Sequence, residues 1–211
     1  MNFLAHCDLA DDAATAWAAT PHQRDGLLAG AVIGDFVKGT IAADWPTALR
    51  AGVRLHRKID ALSNRNDAIS ETCSRFPQPL RRFAPIFVDI LADHWLSLSW
   101  PQHHPYDLGD FAQECYHALD EYREYLDPRG QRFVAYMVQE NLLSQFHQWV
   151  HVEQALRSVL RRLDKTDDFD QANAAMRSLV RPGYADFETY YPQLSGAFLS
   201  WNAFDAIATN S

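Results

Sequence analysis

The chain has no apolar run near the roughly 20 residues that a membrane-spanning helix needs; the longest, Leu27 to Ile33, is far shorter. No basic stretch opens the sequence Met1-Asn2-Phe3-Leu4-Ala5-His6, so no secretory leader is expected. Three cysteines, Cys7, Cys73 and Cys115, stand without CxxC spacing, which argues against both a disulfide framework and a zinc ribbon. No P-loop, GxGxxG or GxSxG occurs, leaving the nucleotide-binding folds and the α/β-hydrolases without support. Alternating Val/Ile/Thr runs bounded by turn residues are also missing, as are repeats, low-complexity tracts and linkers rich in Gly, Ser or Pro.

What is there describes a globular protein. Of 211 residues, 47% are apolar and 22% charged, which excludes disorder and allows a sizeable core in one domain spanning residues 1–211. A soluble, cytoplasmic protein is expected, with no membrane as partner. The formal charge of −8 disfavours nucleic acid as a partner. Yet residues 38–82 hold nine bases (Lys38, Arg50, Arg54, Arg57, Lys58, Arg65, Arg75, Arg81, Arg82) against four acids (Asp44, Asp60, Asp67, Glu71), a local excess of five positive charges. That stretch reads either as a solvated face or as a docking patch for an acidic partner.

Helical periodicity recurs along the whole chain. It predicts helices near 3–17, 22–38, 46–63, 79–100, 107–126, 130–147, 149–163, 169–180 and 184–205, with Pro21, Pro46, Pro77, Pro105, Pro128 and Pro182 at starts and gaps. The expected fold is an all-α, single-domain bundle of eight or nine helices. His103-His104 falls in a Pro-flanked loop, while His117, His147 and His151 are scattered. Tyr184, Phe187, Tyr190, Tyr191, Phe198, Trp201 and Phe204 have the spacing of a packing helix.

Three helices carry residues that packing alone does not explain. At about 100° per residue, Leu49, Gly52, Val53, His56, Ile59, Asp60 and Ser63 share one stripe of 46–63, opposite Arg50, Arg54, Arg57, Lys58 and Arg65. His56 and Asp60 therefore point inward, where an ionised carboxylate is costly unless it is paired or binds a cation. Gly52 leaves room for something to approach. Asp35 lies on the stripe of Leu28, Ala31 and Val32 near a helix C-terminus, where the dipole disfavours it. Helix 79–100 is apolar almost all round, with a narrow polar sector holding Arg82, Asp89, Asp93 and Ser97 and with His94 beside it. A buried His–Asp hydrogen bond would satisfy part of this pattern. Asp35, His56, Asp60, Asp89, Asp93 and His94 together read better as ligands, and carboxylates with imidazoles are the donor set of Mg, Mn or Fe. A divalent ion among them would suit phosphoester hydrolysis.

Asn2-Phe3-Leu4-Ala5-His6, Gly34-Asp35-Phe36-Val37-Lys38-Gly39, Leu55-His56-Arg57-Lys58-Ile59-Asp60 and Asp89-Ile90-Leu91-Ala92-Asp93-His94-Trp95 resemble, in order and spacing, the acyl carrier protein phosphodiesterases. The resemblance implies an HD-like, metal-dependent phosphodiesterase that uses manganese. Its implied reaction removes 4′-phosphopantetheine from the serine of holo acyl carrier protein. It implies a ligand set of Asp35, His56, Asp60, Asp89, Asp93 and His94, and adds His6, for which the periodicity gave no independent reason. Asp35, Asp60 and Asp93 are the catalytic candidates, with Asp60 or Asp93 as the base that takes a proton from water. The strongly acidic carrier gives Lys38, Arg54, Arg57 and Lys58 a partner. The chain departs from the family pattern at Asn64 and Asn66, where an acid and an imidazole are expected, and at Ala31, where an asparagine is expected. Two other readings remain: a hydrolase of a nucleotide or other small phosphoester, and a non-catalytic carrier-binding module.

Overall fold

The computed structural model describes residues 2–208, with residue 1 and residues 209–211 of the expected domain lying outside the described set. Among the described residues eleven α-helices and several short 3-10 turns form the fold, and no strand occurs. In chain order the helices are α1 (Phe3–Ala16), α2 (Pro21–Ile33), α3 (Thr47–Ser63), α4 (Asp67–Ser74), α5 (Ala84–His103) and α6 (Leu108–Glu121). They continue with α7 (Pro128–Gln139), α8 (Leu142–Gln145), α9 (Trp149–Arg162), α10 (Phe169–Gly196) and α11 (Ala203–Ala208).

The all-α expectation holds, and the departures in detail have local causes. Asn66 begins a helix that periodicity did not mark, its side chain accepting from the N–H groups of Ala68 and Ile69 to cap α4. The expected helix 130–147 breaks at Asn141, whose φ of 49° is left-handed and cannot continue a helix. The expected helices 169–180 and 184–205 are instead one helix through Gly196, which runs on past Pro182. There Trp95 lies against Gly183, where a Cβ would come within 2.6 Å of the indole ring, and its Nε1–H donates to the carbonyl of Val180 at 2.9 Å. Tertiary packing thus overrides the proline. In the same way α5 runs through Pro101 to His103, so His103 is helical rather than in a loop, and His104 follows directly as the helix cap.

The crossing that matters most is α2 against α3. A Cβ on Gly30 would lie 2.4 Å from the backbone of Gly52, so only glycine permits this approach. The room left by Gly52 is therefore filled by the α2 backbone. Helix α2 ends at Ile33, and a 3-10 turn over Gly34–Phe36 takes Asp35 off the helical stripe and out to the surface. Around these elements α5 forms the centre of the core, with Phe87, Trp95, Leu91 and Leu96 fully buried. No described helix is long and apolar enough to cross a membrane.

Candidate functional site

Helices α1 and α3 and the turn after α2 meet at four side chains: His6, His56, Asp60 and Asp35. His56 and Asp60 are one turn apart, so both project from the same face of α3. His56 Nε2 lies 3.3 Å from Asp60 Oδ2 and 3.8 Å from Asp35 Oδ1. The His6 ring stacks on the His56 ring at 4.1 Å between centroids, and His6 Nε2 lies 3.2 Å from Asp60 Oδ1. Among the described residues, His6, His56 and Asp60 form the one group of potential ligands whose donor atoms all lie within 4.8 Å of one another. Both imidazoles are buried, whereas 43% of the Asp60 side chain and 52% of the Asp35 side chain face solvent. The cluster thus has a closed floor and an open rim.

Each member is held from behind. The carbonyl of Ala31 accepts from His56 Nδ1–H at 2.9 Å, which fixes the tautomer and leaves Nε2 aimed at the carboxylates. Gly34 makes this possible, because a Cβ there would sit 2.4 Å from the His56 ring. His6 is set by the first turn of α1, whose backbone N–H groups at Leu4 and Ala5 donate to the two oxygens of Asp93 at 3.0 and 2.9 Å. Arg57 binds the chain just after Asp35, donating to the carbonyls of Val37 and Gly39 at 3.1 and 2.8 Å.

The electrostatics suit a cation. Burial, assisted by the neighbouring His56, pushes the His6 pKa down to about 3, so its contact with Asp60 is a hydrogen bond rather than an ion pair at neutral pH. Burial would also lower His56, but its hydrogen bond to Asp60 and the charges of Asp60 and Asp35 outweigh that and raise it. Burial would raise Asp60, yet the hydrogen bonds from His56 and His6 hold its carboxyl well below the usual carboxylate range. The surrounding protein pushes Asp35 upward despite its solvent-facing half, with Asp60 adding to the effect. Two imidazole nitrogens and up to two carboxylates are a borderline-to-hard donor set, which fits Mn, Fe or Mg. His6, His56 and Asp60 could hold such an ion, with Asp35 at the rim beside His56.

The remaining sequence candidates lie elsewhere. Asp93 is fully buried and bonded to α1, with its pKa raised to about 7 by burial in opposition to those two backbone bonds. Asp89 is half-buried one turn earlier on α5, where its charge acts on Cys73 and Tyr190. His94 contacts the carbonyl of Phe146 through Nδ1 at 2.7 Å and meets the edge of Trp149. Of the cationic candidates, Arg54 donates to the carbonyl of Ala206 at 2.7 Å and Lys58 lies 5.5 Å over the Trp201 ring, while Lys38 is exposed. Asn64 caps the C-terminus of α3 and Asn66 the N-terminus of α4, so both departures from the family pattern serve as helix ends.

Sequence reasoning missed a second polar network on the opposite side of α1. Asp8 pairs with His104 Nε2 at 2.8 Å and accepts from Tyr191 at 2.7 Å. Asp11 accepts from Arg24 and Tyr106, and Asp12 accepts from Ser195. A cleft of about 650 Å³ lined by Trp100, His104, Tyr106 and Ser144 opens beside it. The signal available was the run of three aspartates, Asp8, Asp11 and Asp12, on a helix that is otherwise largely apolar.

Comparison with known proteins agrees with the motifs. No solved structure gives a significant match. A protein from Klebsiella pneumoniae (strain 342) named acyl carrier protein phosphodiesterase is 28% identical over 199 residues, covering 94% of this chain and 92% of its own length. Proteins of the same name from Photorhabdus laumondii and Yersinia pestis are each 28% identical, over 92% of this chain and 90% and 95% of theirs. The family model described as acyl carrier protein phosphodiesterase matches residues 1–194, and the chain belongs to that family.

Proposed function

We propose that this protein is a metal-dependent phosphodiesterase that releases 4′-phosphopantetheine from the serine of holo acyl carrier protein. Family membership supports the carrier as substrate. The observation that carries the hydrolytic reading is the convergence of His6 Nε2, His56 Nε2 and the Asp60 carboxylate within 4.8 Å. Manganese is the preferred ion on family resemblance, and the donor set fits it. A divalent ion bound there would supply Lewis acidity, stabilising charge on the phosphoryl group and lowering the pKa of water.

The chain's own residues then have separate duties. His6 is held neutral, and His56 would give up the proton it shares with Asp60 to offer Nε2 to such an ion, kept in register by the Ala31 carbonyl. Asp60 balances the charge between them. Asp35 stands at the open rim, 3.8 Å from His56 Nε2, and is the carboxylate with room on its solvent side to take a proton from an attacking water. Asp93 acts from behind, by fixing the turn that carries His6. Asp89 and His94, on α5, lie outside the group of converging donor atoms.

The test is incubation of the purified protein with holo acyl carrier protein and manganese, with and without chelator, followed by intact mass of the carrier. Metal-dependent loss of the phosphopantetheine mass is expected. Retention of that mass with metal bound would redirect the site to a small phosphoester. Retention without metal binding would leave a carrier-binding module.

A further inference from the structure

We propose that the acidic carrier docks on the outer face of α7, through Arg129 and Arg132 with Lys38 beside them, and not on the outer face of α3. This rests on the reading of the substrate given above. The basic stretch of α3 looks like the natural patch in sequence, but its heads are committed inside the chain. Arg54 closes the end of α11 through the Ala206 carbonyl, Arg57 ties down Val37 and Gly39, and Lys58 covers Trp201. Releasing them to meet a partner would undo those contacts.

Helix α7 offers the opposite situation. Its sequence, Pro128-Arg129-Gly130-Gln131-Arg132-Phe133-Val134-Ala135-Tyr136-Met137-Val138-Gln139, contains two cations and no acid within a chain of net charge −8. Arg129 and Arg132 are exposed and make no ion pair or hydrogen bond among the described residues. They lie on one stripe with Tyr136, three and seven positions after Arg129, and the Tyr136 side is 46% exposed. Cations around an exposed tyrosine are what an acidic protein surface recognises. The nearest acid in sequence, Asp127, already spends a carboxylate oxygen on the N–H of Gly130 at 2.6 Å.

Position is the second argument. Phe133 packs at 5.0 Å from Phe3 and 5.6 Å from Phe36, the residues that begin α1 and follow Asp35. Gly130 faces Phe36 so closely that a Cβ would lie 3.2 Å from its ring. Helix α7 therefore runs along the open rim of the His6–His56–Asp60 cluster. Exposed Lys38 stands two residues beyond Phe36 on the same rim. A carrier held on this stripe would present its modified serine next to Asp35, whereas one held on the far side of α3 would not.

The test is titration of apo carrier protein, which has no scissile group, onto the full chain at low salt. R129E/R132E is compared with R161E/R162E, an equal charge change at the exposed end of α9. The α7 variant is expected to weaken binding about tenfold and to flatten its salt dependence, with the control changing it less than about threefold. Circular dichroism checks the fold, and the milder Arg132→Gln is used if the double variant is misfolded, with a threefold loss expected. Equal affinity of the α7 variant and the wild type, or an equal loss in the control, would overturn the docking face. If the wild type still converts holo carrier in that case, the substrate reading stands and only the face is wrong. A wild type that neither binds apo carrier nor converts holo carrier overturns both.

Discussion

Helix α1 separates two clusters of similar ingredients and opposite character. On one side His6, His56, Asp60 and Asp35 gather; on the other, His104, Tyr191, Arg24 and Ser195 surround Asp8, Asp11 and Asp12. Each sets imidazole beside carboxylates, so residue type alone does not tell them apart. The distribution of donors does. In the second cluster the carboxylates are met by hydroxyl, guanidinium or imidazole donors within the chain. In the first, two Nε2 atoms and one carboxylate converge within 4.8 Å of one another, and His6 is kept neutral. Ligand atoms that converge on one point suit a cation, whereas carboxylates each facing a hydroxyl, guanidinium or imidazole suit holding helices together.

The largest effect should come from breaking the first cluster. Replacing Asp60 by Asn or His56 by Ala should lower turnover of holo carrier roughly 10³-fold or more, as expected when about 4 kcal/mol of transition-state stabilisation is lost. Helical content by circular dichroism should persist, and binding of manganese measured by calorimetry should fall in parallel. Turnover close to wild type in either variant would remove that residue from the site.

The second cluster should answer in stability. Asp8→Ala leaves the buried Tyr191 hydroxyl only its long 3.4 Å contact with the Ala5 carbonyl and removes the carboxylate facing His104, and losing one partner of such a pair should cost about 3 kcal/mol. For a chain of this size that corresponds to a fall in Tm of about 6–12 °C. Thermal melts of metal-free protein measure it directly. A Tm unchanged within a degree would mean that the network is solvated and not structural.

Asp93 sits between these behaviours, and it also shows where sequence stops being informative. Asp93→Asn keeps one acceptor for the first turn of α1 and loses the charge. Loosening His6 from behind should weaken manganese binding about 10-fold to 100-fold, the usual consequence of losing the group that orients a ligand. Manganese titration of the variant against wild type reads this, and unchanged affinity would confine Asp93 to holding the helix. Periodicity placed His56 and Asp60 on one stripe because both lie on a single helix one turn apart. It marked Asp93 as an oddity but could not say that its partners are the N–H groups of Leu4 and Ala5, 89 and 88 residues away. His6 was invisible for the same reason: its partners are on α3, and nothing local to α1 encodes them. Asp35 was assigned to a helix stripe, whereas the 3-10 turn after Ile33 presents it at the rim. Charge counts register the basic stretch but not its carbonyl acceptors, to which Arg54 and Arg57 both donate.

The smallest effect sharpens the comparison through pH. Burial alone would lower His104, but its hydrogen bond to Asp8 and the charges of Asp8, Asp12 and Asp11 raise it above the ordinary histidine value. A histidine raised on folding contributes stability that is complete below its unfolded pKa of about 6.5 and lost as pH rises through the higher folded value. His6 has the opposite sign: lowered to about 3, it costs stability as pH falls from about 6.5 toward 3, because the unfolded chain takes the proton first. Above pH 6.5 His6 is neutral in both states and drops out. His104→Gln should therefore lie furthest below wild type in Tm near pH 6 and approach it as pH rises toward 9. His56, also raised, contributes equally to both proteins and cancels in the difference. A gap that stays constant across that range would mean that His104 is neutral against Asp8, which would remove the ionic pairing that distinguishes the second cluster from the first.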